Sequence, residues 1–235
     1  MISNCCQSAR QVTESIQPQP LQIDIVSDVV CPWCIIGYKQ FEKALAQLPG
    51  QFEVSLDWRP FELNPDTPRE GQDLREHVMQ KYGATAEQSD AVRAELALIG
   101  AALGFRFDYF DGMRMVNSFH SHQLLRWAGE QGLQTELALA LFEAFFSLRE
   151  DVSEDETLAR LAGKVGLSSA SAMEVLADAR YADAVRAEQK LWLGRNISAA
   201  PTFVFNQQYM LQGAQDAKIF VQVLSRIKDE FQKTP

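Results

Sequence analysis

The 235-residue sequence is short of basic charge, of histidine and of cysteine, and each shortage removes a class of function. Lysine and arginine number 22 against 31 aspartates and glutamates, a net charge of −9 at pH 7, so nucleic acid is not an expected partner. No stretch approaches the roughly 20 apolar residues that a membrane-spanning helix needs, and no membrane partner is expected. The start, Met1-Ile2-Ser3-Asn4-Cys5-Cys6-Gln7, has no basic segment followed by an apolar one, which makes the cytoplasm the expected location. Four cysteines in a reducing compartment do not make a disulfide framework. A zinc site would want a second Cys-x-x-Cys or a Cys/His pair; Cys5 and Cys6 sit together in a polar tail and the three histidines are scattered, so no metal is expected. Internal repeats are absent.

What remains is an ordinary globular composition, 46% hydrophobic and 23% charged. The length suits one large domain or one domain carrying an insertion. The chemistry concentrates at Cys31-Pro32-Trp33-Cys34. Leu21 to Val26 before it alternates like a half-buried strand. After it, Ile36, Phe41, Ala44, Leu45 and Leu48 recur at helical spacing. A cysteine at a strand-to-helix turn faces the free N–H groups of the helix start and the positive end of its dipole, both of which favour a thiolate. Pro32 suits the first helical turn, where its missing N–H is not needed. Trp33 adds no charge, so the N–H groups should be the main stabiliser of Cys31, giving a moderate oxidant or a reductant.

Residues 1–20 read as a flexible lead-in ending in Gln17-Pro18-Gln19-Pro20. Glu53 to Trp58 forms a second strand, and strand–helix–strand implies a right-handed parallel βαβ unit. Arg59-Pro60 and the prolines that follow read as a connection leaving the sheet. Helical patterns then cover 72–82, 86–103, 117–130, 134–148, 154–165 and 169–179, with a further helix over 181–194. Leu137, Leu141, Phe142, Phe145 and Phe146 share one apolar face and read as core. Thr202 to Phe205 is a strand, Asn206 to Gln208 a turn, Tyr209 to Gln212 an antiparallel return strand, and an amphipathic helix closes the chain.

This order resembles the DsbA family, an α/β thioredoxin fold (βαβ…ββα) with a large all-helical insertion. Within it the chain is similar to the FrnE-like branch, related to the 2-hydroxychromene-2-carboxylate isomerases. The matching residues are Ser27-Asp28-Val29-Val30-Cys31-Pro32-Trp33-Cys34 with Gly37, Trp58 to Pro65, Asn117-Ser118 with His122, Ala200 to Val204, and Gly213-Ala214-Gln215. Ile35, Ala200 and Gln123 depart from the branch, which more often carries an aromatic, a valine and an arginine there. The resemblance implies a thioredoxin-like domain over 21–63 and 181–235 and an inserted helical domain over 64–180. It implies Cys31 as the exposed nucleophile and Cys34 as the inward resolving thiol. It also implies that Pro201, cis, faces them across a groove. Pro32, Trp33, Ala200, Pro201, His122 and Phe61 become candidate substrate-binding residues, with Asn64 a further candidate; His120 and His77 have weaker claims. Asp28 reads as a partner for backbone N–H groups. The expected activity is thiol–disulfide exchange on protein or glutathione disulfides, with no tightly bound cofactor and glutathione as a candidate co-substrate. Two alternatives stand beside it: a glutathione-dependent isomerase or transferase, in which serine commonly replaces Cys31, and a redox-regulated peptide-binding or chaperone module.

Overall fold

A strand, a helix and a second strand open the fold: β1 (Gln19–Ser27), α1 (Pro32–Leu45) and β2 (Phe52–Pro60). The structure, a computed structural model, describes residues 17–68 and 70–231; Cys5 and Cys6 lie outside them. β1 and β2 are parallel, as expected, in the register Ile25↔Trp58 and Ser27↔Pro60. The sheet begins two residues earlier than the alternation suggested, because Gln19 and Pro20 pair with Phe52 and Glu53. Arg59 and Pro60 belong to β2 rather than to a connection. β2 is the edge strand, and a proline is tolerated on an edge where no neighbour needs its N–H.

The insertion follows: β3 (Gln72–Asp73), α2 (Leu74–Tyr82), α3 (Ala86–Ala102), β4 (Arg114–Met115), α4 (Phe119–Glu130), α5 (Gln134–Ser147), α6 (Asp155–Lys164) and α7 (Ser169–Asp178). A short strand stands where a helical start was expected at 72 and pairs with an unforeseen strand at 114–115, Gln72 opposite Met115, while the helix expected from 117 begins at Phe119. The Asp73 carboxylate accepts from Arg75 N and Glu76 N, so the helix begins just beyond it. Thr85 and Gln88 form a reciprocal capping box that starts α3.

The chain then returns through α8 (Ala182–Gly194), β5 (Thr202–Phe205), β6 (Tyr209–Gln212) and α9 (Ala217–Phe231). The four-stranded sheet has the order β2-β1-β5-β6, with β5 antiparallel to both its neighbours. Against one face, Phe41 of α1 and Phe220 of α9 pack with Phe203 and Phe205, ring centroids 4.8 Å apart for Phe203 and Phe220. A separate cluster joins Val26 and Val204 to Trp192 on α8 and to Ile197.

The insertion is fastened to the exposed edge of β2. The Gln134 amide takes a hydrogen bond from Trp58 N at 2.9 Å and donates to Trp58 O at 3.1 Å, completing strand groups that would otherwise be unpaired. Trp58 itself packs between Tyr38 and Phe142 in tilted ring contacts, 5.1 and 5.7 Å between centroids. Buried Asp24 on β1 pairs with Arg59 at 2.5 Å, and Arg59 in turn holds Glu188 of α8 at 3.1 Å. No helix among the described residues is long and apolar enough to cross a membrane.

Candidate active site

Cys31 is the residue that caps α1, with extended backbone, and Pro32 occupies the first helical turn. The turn leading into it is closed by Cys31 N donating to Asp28 O at 3.0 Å. The Asp28 carboxylate holds two pieces of backbone together, accepting from Leu63 N at 2.8 Å and from Val30 N at 3.4 Å. This is the backbone-pairing role expected of it, and it ties the segment after β2 to the base of the Cys31 turn.

Cys34 lies one turn further on and is completely buried. Burial pushes its thiol well above the ordinary range, and the Cys31 sulfur beside it adds to the rise; the Ser27 hydroxyl and the Asp28 backbone offset part of it. At neutral pH Cys34 is therefore held as the neutral thiol. The Ala200–Pro201 bond is cis. The Cys31 Sγ comes within 3.7 Å of Ala200 O, joining residues 169 positions apart. Gly37 permits the loop to approach this closely: a Cβ there would lie 3.2 Å from both Pro201 and Phe203.

In front of Cys31, between the α1 start and helices α2 and α3, opens a mainly apolar cleft of about 740 Å³. Leu63, Leu96, Tyr109 and Phe146 contribute to its walls. Tyr82 and Tyr109 share this cleft, and burial raises the pKa of both; Arg93 offsets part of the rise at Tyr109, and negative charge on Cys31 adds to both.

A DSBA-like thioredoxin domain matches residues 22–225. The chain belongs to the DSBA-like thioredoxin family. Among solved structures it is similar to a probable DsbA oxidoreductase, SCO1869 from Streptomyces coelicolor, at 35% identity over 92% of each chain and a TM-score of 0.85. The uncharacterized protein YwbO of Bacillus subtilis is 28% identical over 87% of this chain and 96% of its own length. Cytosolic disulfide reductase DsbM of Pseudomonas aeruginosa shares the fold at 16% identity, over 87% of this chain and 97% of that one, with a TM-score of 0.60; it has also been solved with GSH.

Among the expected site residues of this DSBA-like chain, Pro32, Trp33, Asn64 and Ala200 line the cleft with Cys31. Trp33 stands at its rim, 39% exposed. Cys31 is not the exposed thiol expected: only 3% of its surface is open, because the Ala200 carbonyl and the cleft walls cover it, and its access is through the cleft. Pro201 is buried behind Ala200, against Gly37. His122 and Phe61 do not line the cleft. His122 is buried, its Nε2–H donates to Phe61 O at 3.2 Å, and Asp28 lies 3.6 Å away. It lines a separate cavity of about 20 Å³ with Ser27, Arg59 and Glu188. Phe61 packs on the Val26–Trp192 cluster. His120 is likewise engaged elsewhere, 2.7 Å from Asp155. No group of three metal-binding side chains occurs among the described residues.

Ser89, Arg93 and Tyr109 lie in the cleft and were not singled out from the sequence, and His77 was given only a weak claim. A signal for two of them existed. Ser89, Arg93, Leu96 and Gly100 fall on one helical face, and an arginine within an otherwise burying stripe is chemically out of place.

Proposed function

We propose that this chain is a dithiol–disulfide oxidoreductase that works through a mixed disulfide on Cys31. The observation that carries the reading is the unequal pair: Cys31 caps a helix and faces a cleft, while Cys34 is held behind it, buried and protonated. In the reducing direction the Cys31 thiolate attacks a substrate disulfide R–S–S–R′. A Cys31–S–S–R bond forms and R′–S⁻ leaves. Cys34 then gives up its proton and attacks Cys31 Sγ; the Cys31–Cys34 disulfide forms and R–S⁻ leaves. Two electrons pass from the pair to the substrate; one departing thiolate takes up the Cys34 proton and the other a proton from water, in place of the one Cys31 had already released. The oxidising direction is the reverse, and the redox poise of the compartment selects between them.

Protein disulfides or glutathione are the proposed partners, in the cytoplasm. DsbM, a cytosolic reductase solved with GSH, supports both parts of that reading. The presence of a second thiol one turn beyond Cys31 favours exchange over glutathione-dependent isomerisation, which needs no Cys34.

Reduction of insulin and of oxidised glutathione by the parent, Cys31→Ser and Cys34→Ser tests the proposal. The parent should turn over, Cys31→Ser should be inactive, and Cys34→Ser should accumulate a one-to-one adduct with glutathione visible by mass. Turnover that persists in Cys31→Ser would overturn it. An isomerisation surviving Cys34→Ser would favour the isomerase reading. Retention of unfolded protein by both variants, with no turnover in the parent, would favour the chaperone.

A further inference from the structure

The cleft over Cys31 contains a cation that its own walls do not balance. Arg93 on α3 is the one residue of the lining with a fixed charge. Its Nη2 is buried without a hydrogen-bond partner among the described residues. The nearby carboxylates are committed elsewhere: Asp90 is bridged to Arg75 at 2.8 Å, and Asp73 caps α2. What faces the guanidinium is the ring of Tyr109, 5.5 Å from its central carbon to the ring centre. Burial, then the neighbouring Arg75, lower the Arg93 pKa from its ordinary value, and the charges of Asp90 and Asp73 only partly offset this.

Arg93 is half-buried with its Nη2 enclosed; a partly desolvated cation without a paired anion is disfavoured, and a ligand that brings the anion relieves it. Two neutral groups stand near. Ser89, buried, lies one turn earlier on the same face of α3. His77 Nδ1–H donates to the Gln72 side-chain oxygen at 3.0 Å, which leaves Nε2 as a buried acceptor without a partner. The remaining walls are mainly apolar, and about 740 Å³ is the size of a small-molecule site rather than a protein-binding face. The net charge of −9 repels anions at long range, so any preference for them must come from a local group.

We propose that Arg93 is a carboxylate-binding subsite and that the cleft takes small disulfides or thiols bearing a carboxylate on an apolar body, seated between Arg93 and Cys31. The proposal rests on the exchange reading above and names the substrate class for it. The carboxylate takes no part in the exchange. Cys31 bonds to the near sulfur, the substrate S–S bond breaks, the far thiolate leaves, and the carboxylate on the retained half stays on Arg93.

Two measurements test this on the full chain. In the first, pre-reduced protein is oxidised by excess 4,4′-dithiodibutyrate or by its dimethyl ester, which present the same disulfide with and without charge. The parent should react with the acid about tenfold faster than with the ester; Arg93→Gln should bring the ratio to about one, and Arg93→Lys should keep part of it. In the second, binding of decanedioate, the unreactive all-carbon counterpart, is followed by calorimetry and should weaken about tenfold in Arg93→Gln. A parent that reacts with both disulfides equally, or an Arg93→Gln variant that keeps the full ratio, overturns the subsite. A parent that binds decanedioate through Arg93 but is oxidised by neither compound refutes the exchange reading and leaves the subsite standing. A parent that does not bind decanedioate refutes the subsite.

Discussion

The charged side chains on the two sides of the Cys31 turn are held differently. Behind it, charges are paired: Asp24 with Arg59, Arg59 and Arg126 with Glu188, and Asp28 with the backbone of Val30 and Leu63. In front, Arg93 and His77 keep buried nitrogen atoms that have no hydrogen-bond partner among the described residues. Charges satisfied within the chain hold strands and loops in register; charges left open in a cavity await something from outside. The same distinction separates the histidines. His122, matched by its sequence context, has its Nε2–H committed to a backbone carbonyl behind the turn, whereas His77, in a less distinctive context, faces the cleft.

The contrast is open to attack from several directions, the severest being the rear wall. Arg59→Met leaves Asp24 buried without its partner and should lower unfolding stability by about 3–5 kcal/mol in urea titrations. A loss near zero would break the view that the rear charges are structural. Next comes the close packing that sets Ala200 against the sulfur. Gly37→Ala puts a methyl 3.2 Å from Pro201 and Phe203, and the overpacking should lower stability by about 1–3 kcal/mol. Exchange should slow with it, as the loop carrying Ala200 is displaced.

The third concerns Cys34. Because its pKa is raised in the fold, the reduced protein keeps its full stability below the ordinary thiol value of about 8.5. Stability then falls as pH rises towards the raised value, since the unfolded chain releases the proton first. Unfolding of the reduced protein between pH 7 and pH 10 should show this slope, at most about 1.4 kcal/mol per pH unit from this group. Cys34→Ser should flatten it, and an unchanged slope would show that Cys34 is not the group responsible. The smallest effect belongs to the front rim. Trp33→Ala should change stability by no more than about 0.5 kcal/mol while raising KM for disulfides; a large loss of stability would make the rim part of the core.

Much of this molecule was legible residue by residue. The alternation in Leu21 to Val26 and the apolar spacing after Cys34 each act over a few positions, so the elements could be read with errors at their ends. Those errors have local causes that a one-dimensional pattern does not display: Pro60 remains in β2 because that strand is an edge, and Gln72 joins a two-residue pair whose partner is Met115. The Cys31-Pro32-Trp33-Cys34 motif identified the reactive turn, and the later Ala200-Pro201 segment identified the loop that meets it.

The sequence by itself therefore determined most of the secondary elements and the thiol pair, because short-range sterics and hydrophobic period are written into neighbouring residues, while the thioredoxin arrangement followed from the resemblance those motifs bear to a known family. Only the tertiary structure decided that Cys31 opens into a cleft rather than onto the surface, that His122 and Phe61 face away from it, and that Arg93 stands unpaired within it. Those facts depend on which side chains from separate elements come to share one low-dielectric space, and sequence distance carries no record of that. Cys31 meets Ala200 across 169 residues only when the first and last parts of the chain have packed on one sheet.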